Sequence, residues 1–245
     1  MTLFLTSSPT GCPFTPGPGE PELDKRNHLV ANLRAVWPDH PVPGLAIAAD
    51  PQAHAENDAL CQMMQQCFAR AGLPLASLVP CDSRNAEEIG TLLAQSGFVM
   101  LCGGHVPTQN RFFAHLGLPG LFHSYHGILL GVSAGSMNAA RLVYAAPEEP
   151  GEAVDPGYCR WLPGLGLTET RILPHYQFIR HQTLDGQLVE DMALADSRKR
   201  PFLALPDGSY LLCTEGSEAL YGKAWYFADG RMAEINEDED VLPLR

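Results

Sequence analysis

Residues 127–140, GILLGVSAGSMNAA, join a predicted buried strand to a predicted helix through a turn that carries a serine. The apolar run 128–132 is typical of a fully buried parallel strand. Residues 131–135 read GVSAG and match the G-x-S-x-G pattern of a nucleophile elbow, with Ser133 at the centre. The glycines let strand and helix pass closely, and the N–H groups that begin the helix favour negative charge near Ser133. The alternative interpretation of so short a pattern is a turn that only packs.

The composition is that of an ordinary globular domain. The chain has 245 residues, of which 45% are hydrophobic and 18% charged, and we find no repeat or linker, so we expect a single domain over 1–245. A net charge of −12 argues against nucleic acid and anionic membranes as partners, because both require basic patches. The N-terminus MTLFLTSSPTG contains neither a signal peptide nor a span, which predicts a cytoplasmic protein.

The seven cysteines form no CxxC pair and no regular spacing. This pattern favours reduced, mostly buried thiols over a disulfide framework or a zinc site. We expect neither a metal nor a cofactor.

Strands and helices alternate through the first half of the chain. The predicted strands are 3–5, 44–49, 75–79 and 97–102, and the predicted helices are 23–36, 57–71 and 83–93. This order predicts a mostly parallel sheet with helices on both faces, with ligands at the carboxyl ends of strands, where Ser133 and residues 103–104 lie. The segment 9–21, rich in proline and glycine, is expected to be a loop, and Met63 and Met64 are expected to lie in the core.

The second half is predicted to contain more strands than helices. We expect strands at 171–173, 202–205, 210–212 and 224–227, a helix at 184–195, turns at 206–208 and 229–230, and a solvated acidic tail at 234–240.

A serine hydroxyl needs a base, a group that orients the base, and donors for the developing oxyanion. Only His175 and His181 follow the elbow, and His175 comes at the carboxyl end of a predicted strand, so it is the preferred base. The natural oxyanion donors are the backbone N–H of Ala134 and one from the turn 103–104. The residues between Ser133 and His175 offer several acids, and the pattern alone does not choose among them: Glu148, Glu149, Glu152 and Asp155.

Several motifs together resemble the S51 family of serine peptidases, which holds the aspartyl dipeptidase peptidase E and the cyanophycinases. They are LTSSP at 5–9, LCGG at 101–104, GVSAGS at 131–136, GLGL at 164–167 and LPHY at 173–176. The resemblance covers most of residues 1–215. It implies a flavodoxin-like fold similar to class I glutamine amidotransferases, and a triad in the chain order serine, acid, histidine.

Carried over residue by residue, the resemblance implies Ser133 as nucleophile, His175 as base and Glu148 as acid. Gly104 and Ala134 would form the oxyanion hole.

Substrate binding is expected at Gly103, His105, Gln109 and Arg180. His105 stands where relatives often have asparagine, and the loop after Tyr144 offers glutamates where peptidase E has an aspartate. The implied activity is hydrolysis of small peptides, aspartyl dipeptides among them, and a homodimer is compatible with the sequence.

Three other interpretations stay open. An α/β-hydrolase esterase shares G-x-S-x-G, but its histidine usually lies near the chain end, whereas no histidine follows His181. A catalytically silent amidotransferase-like domain would bind a metabolite or partner and would not react with a fluorophosphonate. A zinc hydrolase could use His123 and His126, for which no convincing third ligand lies nearby in the sequence.

Overall fold

The computed structural model describes residues 1–10 and 21–245, so most of the expected loop 9–21 lies outside the described residues. The strands in chain order are β1 (Thr2–Thr6), β2 (Val42–Ile47), β3 (Leu75–Cys81), β4 (Phe98–Leu101), β5 (Ile128–Val132), β6 (Leu142–Tyr144), β7 (Trp161–Pro163), β8 (Ile172–Leu173), β9 (Thr183–Leu184), β10 (Gln187–Leu188), β11 (Phe202–Ala204), β12 (Tyr210–Thr214), β13 (Ser217–Tyr221), β14 (Ala224–Ala228), β15 (Arg231–Asn236) and β16 (Val241–Pro243). The helices are α1 (Leu29–Val36), α2 (His54–Arg70), α3 (Ile89–Gln95), α4 (Val106–His115), α5 (Leu118–Leu121), α6 (Ala134–Asn138), α7 (Tyr176–Ile179) and α8 (Val189–Ser197).

The central sheet has eight strands in the order β16-β13-β12-β1-β5-β4-β2-β3. The five strands from β1 to β3 are parallel, and β12, β13 and β16 extend the sheet by antiparallel pairing. The mostly parallel α/β sheet expected from the alternating elements is thus confirmed. Because the parallel strands point the same way, the loops after β1, β4 and β5 meet at one edge.

Apolar side chains cover both faces of this sheet, as parallel strands require. Along β1, Leu3 and Leu5 face one core, whereas Phe4 between them faces the other. The first core includes residues of α3, α4 and α6, and the second includes residues of α1 and α2. The period-2 alternation within each strand explains why one sheet supports two cores.

A second sheet, ordered β15-β14-β11-β8, packs into the first core through residues such as Ile172, Phe202 and Phe227. Its strands β8 and β11 are parallel, with Ile172 opposite Leu203 and Leu173 opposite Ala204. The segments after β8 and β11 therefore leave the sheet side by side.

Several element boundaries differ from those predicted. The α-helix predicted from residue 23 begins at Leu29, because Asn27 and His28 adopt positive φ angles. The helix predicted over 184–195 begins at Val189, because Asp185 and Gly186 form the turn of the hairpin β9–β10 with positive φ angles.

The acidic tail 234–240 is mostly exposed, as expected, and the residues at and beside it also form strands that were not predicted. Residues 231–236 form β15, and 241–243 form β16 on the edge of the central sheet. The helix α4 was not predicted.

The described cysteines are free thiols, five of them buried, and Cys12 lies outside the described residues. Within residues 1–10 and 21–245, no helix combines the length and apolar composition that a membrane crossing needs.

Candidate active site

Ser133 lies between the end of β5 and the start of α6, in a strained backbone conformation with φ 49° and ψ −113°. The two elbow glycines are needed for space. A Cβ on Gly135 would lie 2.2 Å from the carbonyl oxygen of Leu101, and one on Gly131 would lie 2.7 Å from Ser136 Oγ. The packing of β4 and β5 against α6 therefore requires glycine at both positions, as the elbow pattern indicates.

His175 lies two residues after the short strand β8, and its imidazole contacts Ser133. Its backbone is left-handed, with φ 57° and ψ 26°. The Nε2 atom lies 2.9 Å from Ser133 Oγ. The other histidine after the elbow, His181, is exposed and has no contact with the serine.

The carboxylate beside His175 is Asp207, not Glu148. Asp207 Oδ1 lies 2.7 Å from His175 Nδ1, and the side chain is buried. A carboxylate only accepts, so His175 Nδ1 carries the proton and leaves Nε2 to accept from the Ser133 hydroxyl. The order along the chain is thus serine, histidine, aspartate, and the assignment of Glu148 to this position is corrected.

Parallel pairing explains how Asp207 reaches the imidazole. His175 comes two residues after β8, and Asp207 comes three residues after β11, the parallel neighbour of β8. Adjacent parallel strands deliver the residues that follow them to the same place. The turn Pro206–Asp207–Gly208 was predicted, but its aspartate was not considered because the acid was sought between Ser133 and His175.

Ser7, which follows β1, links the base and the acid. Its Oγ accepts a hydrogen bond from the backbone N–H of His175 at 2.8 Å and donates one to Asp207 Oδ1 at 2.7 Å. Burial alone would raise the pKa of Asp207, but the hydrogen bonds from His175 and Ser7 hold that pKa below its usual value. Asp207 is therefore ionised at neutral pH. Sequence analysis noted LTSSP only as a motif and assigned Ser7 no role.

The turn after β4 faces the nucleophile from the neighbouring strand. A Cβ on Gly103 would lie 3.3 Å from Ser133 Cβ, so this backbone lies close beside the serine. No described residue accepts a hydrogen bond from the backbone N–H of Gly104 or Ala134. Both N–H groups are thus free for a ligand, which the oxyanion hole proposed at Gly104 and Ala134 requires.

Two cavities open at the Ser133 and His175 side chains. The larger, a cleft of about 820 Å³, is bounded by α2 and the ends of β4 and β5. The smaller pocket of about 240 Å³ lies on the other side, against the loop that carries Glu148 and the segment 173–189. Met63 lines the cleft and is half-buried against the second core, whereas Met64 is fully buried in that core.

The cleft also contains one cysteine near the serine, Cys102. Burial raises the pKa of its thiol well above the usual range. Cys102 is therefore a protonated thiol at neutral pH and no competitor to Ser133 as nucleophile.

The acidic loop after β6 is organised around Glu152. One oxygen, Oε2, accepts hydrogen bonds from the backbone N–H groups of Glu148 and Glu149, and the other lies 2.8 Å from His105 Nε2. Burial alone would raise the pKa of Glu152, but these N–H groups and His105 hold that pKa below its usual value. Partial desolvation beside the small pocket, with repulsion from Glu152 and Glu149, raises the pKa of Glu148, although this side chain is exposed at the surface.

Two of the residues expected to bind substrate lie elsewhere. Arg180 stacks on the rings of Tyr176 and Trp225 and pairs with Glu190 at 3.3 Å, so it lines neither cavity. Gln109 is fully buried, and its amide donates to the carbonyl of Cys102 at 2.6 Å. Gln109 thus supports the turn after β4 from behind. Gly103 lines the cleft, and His105 borders a third cavity of about 290 Å³ beside it.

One described group of side chains could in principle hold a metal ion. The ligand atoms of His105, Glu149 and Glu152 lie within 4.8 Å of one another. His105 and Glu152 already contact each other as an ion pair, which holds the acidic loop against the start of α4. His123 and His126 are exposed and precede β5, at the end of the strand opposite Ser133.

The model for Peptidase family S51 matches residues 47–220, which is more than half of the chain. The chain belongs to peptidase family S51. It is therefore a hydrolase of the serine peptidase type.

Two solved structures share the fold of this S51 chain at low sequence identity. A peptidase from an acI-B1 Actinobacterium is 16% identical, with a TM-score of 0.69 over 99% of this chain and 96% of the other. A putative peptidase E protein from Listeria monocytogenes EGD-e is 14% identical, with a TM-score of 0.55 over 96% of this chain and 98% of the other. The comparison with curated proteins gave no match.

Proposed function

We propose that this S51 peptidase hydrolyses short peptides through an acyl-enzyme, with Ser133 as nucleophile, His175 as general base and Asp207 as the residue that orients the base. The observation that carries the proposal is one continuous chain of contacts at the mouth of a cleft. Ser133 Oγ lies 2.9 Å from His175 Nε2, and His175 Nδ1 lies 2.7 Å from Asp207 Oδ1. These distances are those expected of an activated serine.

The first half of the reaction forms the acyl-enzyme. Ser133 Oγ attacks the peptide carbonyl while its proton passes to His175 Nε2, and the carbonyl oxygen becomes an oxyanion. The N–H groups of Gly104 and Ala134 stabilise this charge. The C–N bond then breaks, the amine takes the proton from His175 Nε2, and the acyl group stays on Ser133.

The second half releases the acid. Water enters, loses a proton to His175 Nε2 and attacks the ester carbonyl. The C–O bond to Ser133 breaks, and Ser133 takes the proton back. Asp207 keeps its charge throughout and stabilises the imidazolium that forms in each half.

The dimensions of the site support short peptides as substrates. A cleft of about 820 Å³ is in the range that holds one small organic ligand. The pocket of about 240 Å³ on the other side of Ser133 has room for one further group. Both cavities border His175, which first protonates the leaving amine and later takes a proton from the water that attacks the acyl group.

A dipeptide library incubated with wild-type protein and with Ser133→Ala tests this function. We expect hydrolysis by the wild type, and a loss on the order of 10⁴-fold or more in kcat for the variant, because removing a triad member removes the covalent route. Circular dichroism should give the same fold for both proteins. Retention of more than a tenth of wild-type kcat by Ser133→Ala would exclude the assignment.

A further inference from the structure

No lysine or arginine lines any described cavity that borders Ser133 or the turn after β4. The large cleft, the small pocket and the third cavity next to Gly104 contain carboxylates, two histidines and uncharged residues. Arg180, the nearest cation expected from the sequence, is held by Glu190 and the two aromatic rings. An anionic substrate side chain would thus find no fixed positive partner among these linings.

Carboxylates without protein donors surround the same space. Glu56 lines the large cleft, Glu148 lines the small pocket, and Glu149 borders the third cavity, next to Gly104. No described residue donates a hydrogen bond to any of these three side chains. The exposed carboxylates of Glu56 and Glu149 repel ligands of the same sign, which adds to the cost of desolvating an acidic side chain.

The wall of the large cleft is apolar. α2 contributes Leu60 and Met63, and the ends of β4 and β5 contribute Met100 and Val132. Burying an aliphatic side chain against such a wall favours binding, because apolar surface is removed from water. The unbranched side chains of Met63 and Met100 can adjust to apolar groups of different shape.

We propose that the substrate is a short peptide with an uncharged apolar side chain next to the cleaved bond, and that peptides with an acidic side chain there are poor substrates. This substrate class rests on the proposed function, because it assigns the cleft beside Ser133 to the substrate side chain. It differs from the aspartyl specificity that the family resemblance implies.

The test compares kcat/KM for leucine and aspartate in matched dipeptides, Leu-Ala with Asp-Ala and Ala-Leu with Ala-Asp. We expect a preference of at least tenfold for leucine in the series whose varied residue enters the cleft. Met63→Arg places a cation in the cleft wall and should lower the leucine-to-aspartate ratio at least fivefold. Gln66→Arg adds the same charge to an exposed position of α2 outside the cleft and should change the ratio less than twofold.

Equal or better hydrolysis of the aspartyl peptides by wild-type protein in both series would overturn the substrate class and leave Ser133 as the nucleophile. An unchanged ratio in Met63→Arg would also overturn it, since the cleft would then not hold the side chain. A panel without any Ser133-dependent hydrolysis would overturn the proposed function itself, and the substrate class with it.

Discussion

Two residues of the candidate site adopt backbone conformations that are uncommon for residues with a Cβ. Ser133 has φ 49° and ψ −113°, and His175 has φ 57° and ψ 26°. Such positions cost on the order of 1–3 kcal/mol each and persist where surrounding contacts fix them. Here the backbone N–H of Ser133 donates to the carbonyl of Thr6, and that of His175 donates to Ser7 Oγ. The last residue of β1 and the residue that follows it thus hold both strained residues.

Asp207→Asn should lower kcat by about 10⁴-fold with little change in KM, because an amide can hold His175 in the wrong tautomer and cannot stabilise the imidazolium. Asp155→Asn makes the same change at an exposed residue of the acidic loop and should leave kcat unchanged. Glu148→Gln should lose less than tenfold. Steady-state kinetics on one good dipeptide checks all three variants. A large loss of kcat in Glu148→Gln alone would show that Glu148, and not Asp207, is the acid that orients His175.

The nucleophile and the base could be predicted because each has a signal within a few residues of sequence. The acid has no such local signal. Ser133 has a pattern within five residues, and His175 lies two residues after a recognisable strand. Asp207 becomes a partner of His175 only through the pairing of β8 with β11, two strands of two and three residues. Strands so short carry almost no periodicity, so their pairing cannot be read from the chain. The signal that could have identified Asp207 is a polar residue shortly after each of two strands that pair in parallel, here His175 after β8 and Asp207 after β11.

At the scale of elements, the elbow depends on close contact between α6 and β4. Gly135→Ala should destabilise the fold by about 3 kcal/mol or more, because its Cβ would lie 2.2 Å from the oxygen and 2.6 Å from the carbon of the Leu101 carbonyl, in a buried strand. Gly90→Ala in α3 is the matched control, since its Cβ would meet nothing within 4 Å. We expect this control to gain about 0.5–1 kcal/mol in urea unfolding. Equal stability of the two variants would contradict the packing described.

The acidic loop makes stability depend on pH. The folded protein raises the pKa of Glu148 above its unfolded value of 4.5, so it binds this proton more tightly than the unfolded chain does. Wild-type stability is therefore highest below pH 4.5 with respect to this group and falls as the pH rises through the raised pKa.

A glutamine cannot ionise, so the Glu148→Gln variant does not lose this stability as the pH rises. The Tm of the variant minus that of wild type should therefore increase from pH 5 to pH 8.5. Thermal unfolding at several pH values measures the difference, with Glu149→Gln as the control in the same loop. A gain that is constant or shrinks over this range would contradict the shifted pKa.

The elements that could be predicted from the sequence are those with a strong apolar periodicity. The long buried strands and α2 were found because their apolar pattern extends over several residues. The starts of α1 and α8 were misplaced, because Asn27, His28 and Asp185 adopt positive φ angles that their residue types do not require. The strand β15 was missed because most of its residues are exposed, so it lacks an apolar face.

At the scale of the whole molecule, the candidate site joins two sheets. Ser7, Gly103 and Ser133 follow strands of the central sheet, whereas His175 and Asp207 follow strands of the second sheet. Residues of both sheets share one apolar core. The distance between nucleophile and base is therefore set by packing between sheets, and the site can be complete only when both sheets are folded.

Unfolding in urea should accordingly abolish activity and both sheets in a single transition. Trp37 packs on Phe68 and Phe98 beside the central sheet, and Trp225 lies in β14 of the second sheet. Trp161 is the third tryptophan, so the double variants Trp37→Phe/Trp161→Phe and Trp161→Phe/Trp225→Phe each keep one tryptophan. Their fluorescence reports on each side separately. We expect coincident midpoints with each other and with the loss of activity, whereas two separated midpoints would show that the sheets unfold independently.

The most direct test of the Ser133–His175–Asp207 assignment is the rate at which a fluorophosphonate labels the protein, with peptide mapping of the modified residue. We expect labelling of Ser133 in wild-type protein, slowing by a hundredfold or more in Asp207→Asn and in His175→Ala, and less than tenfold in Glu148→Gln. Labelling of Asp207→Asn at the wild-type rate, or modification of a residue other than Ser133, would contradict the assignment.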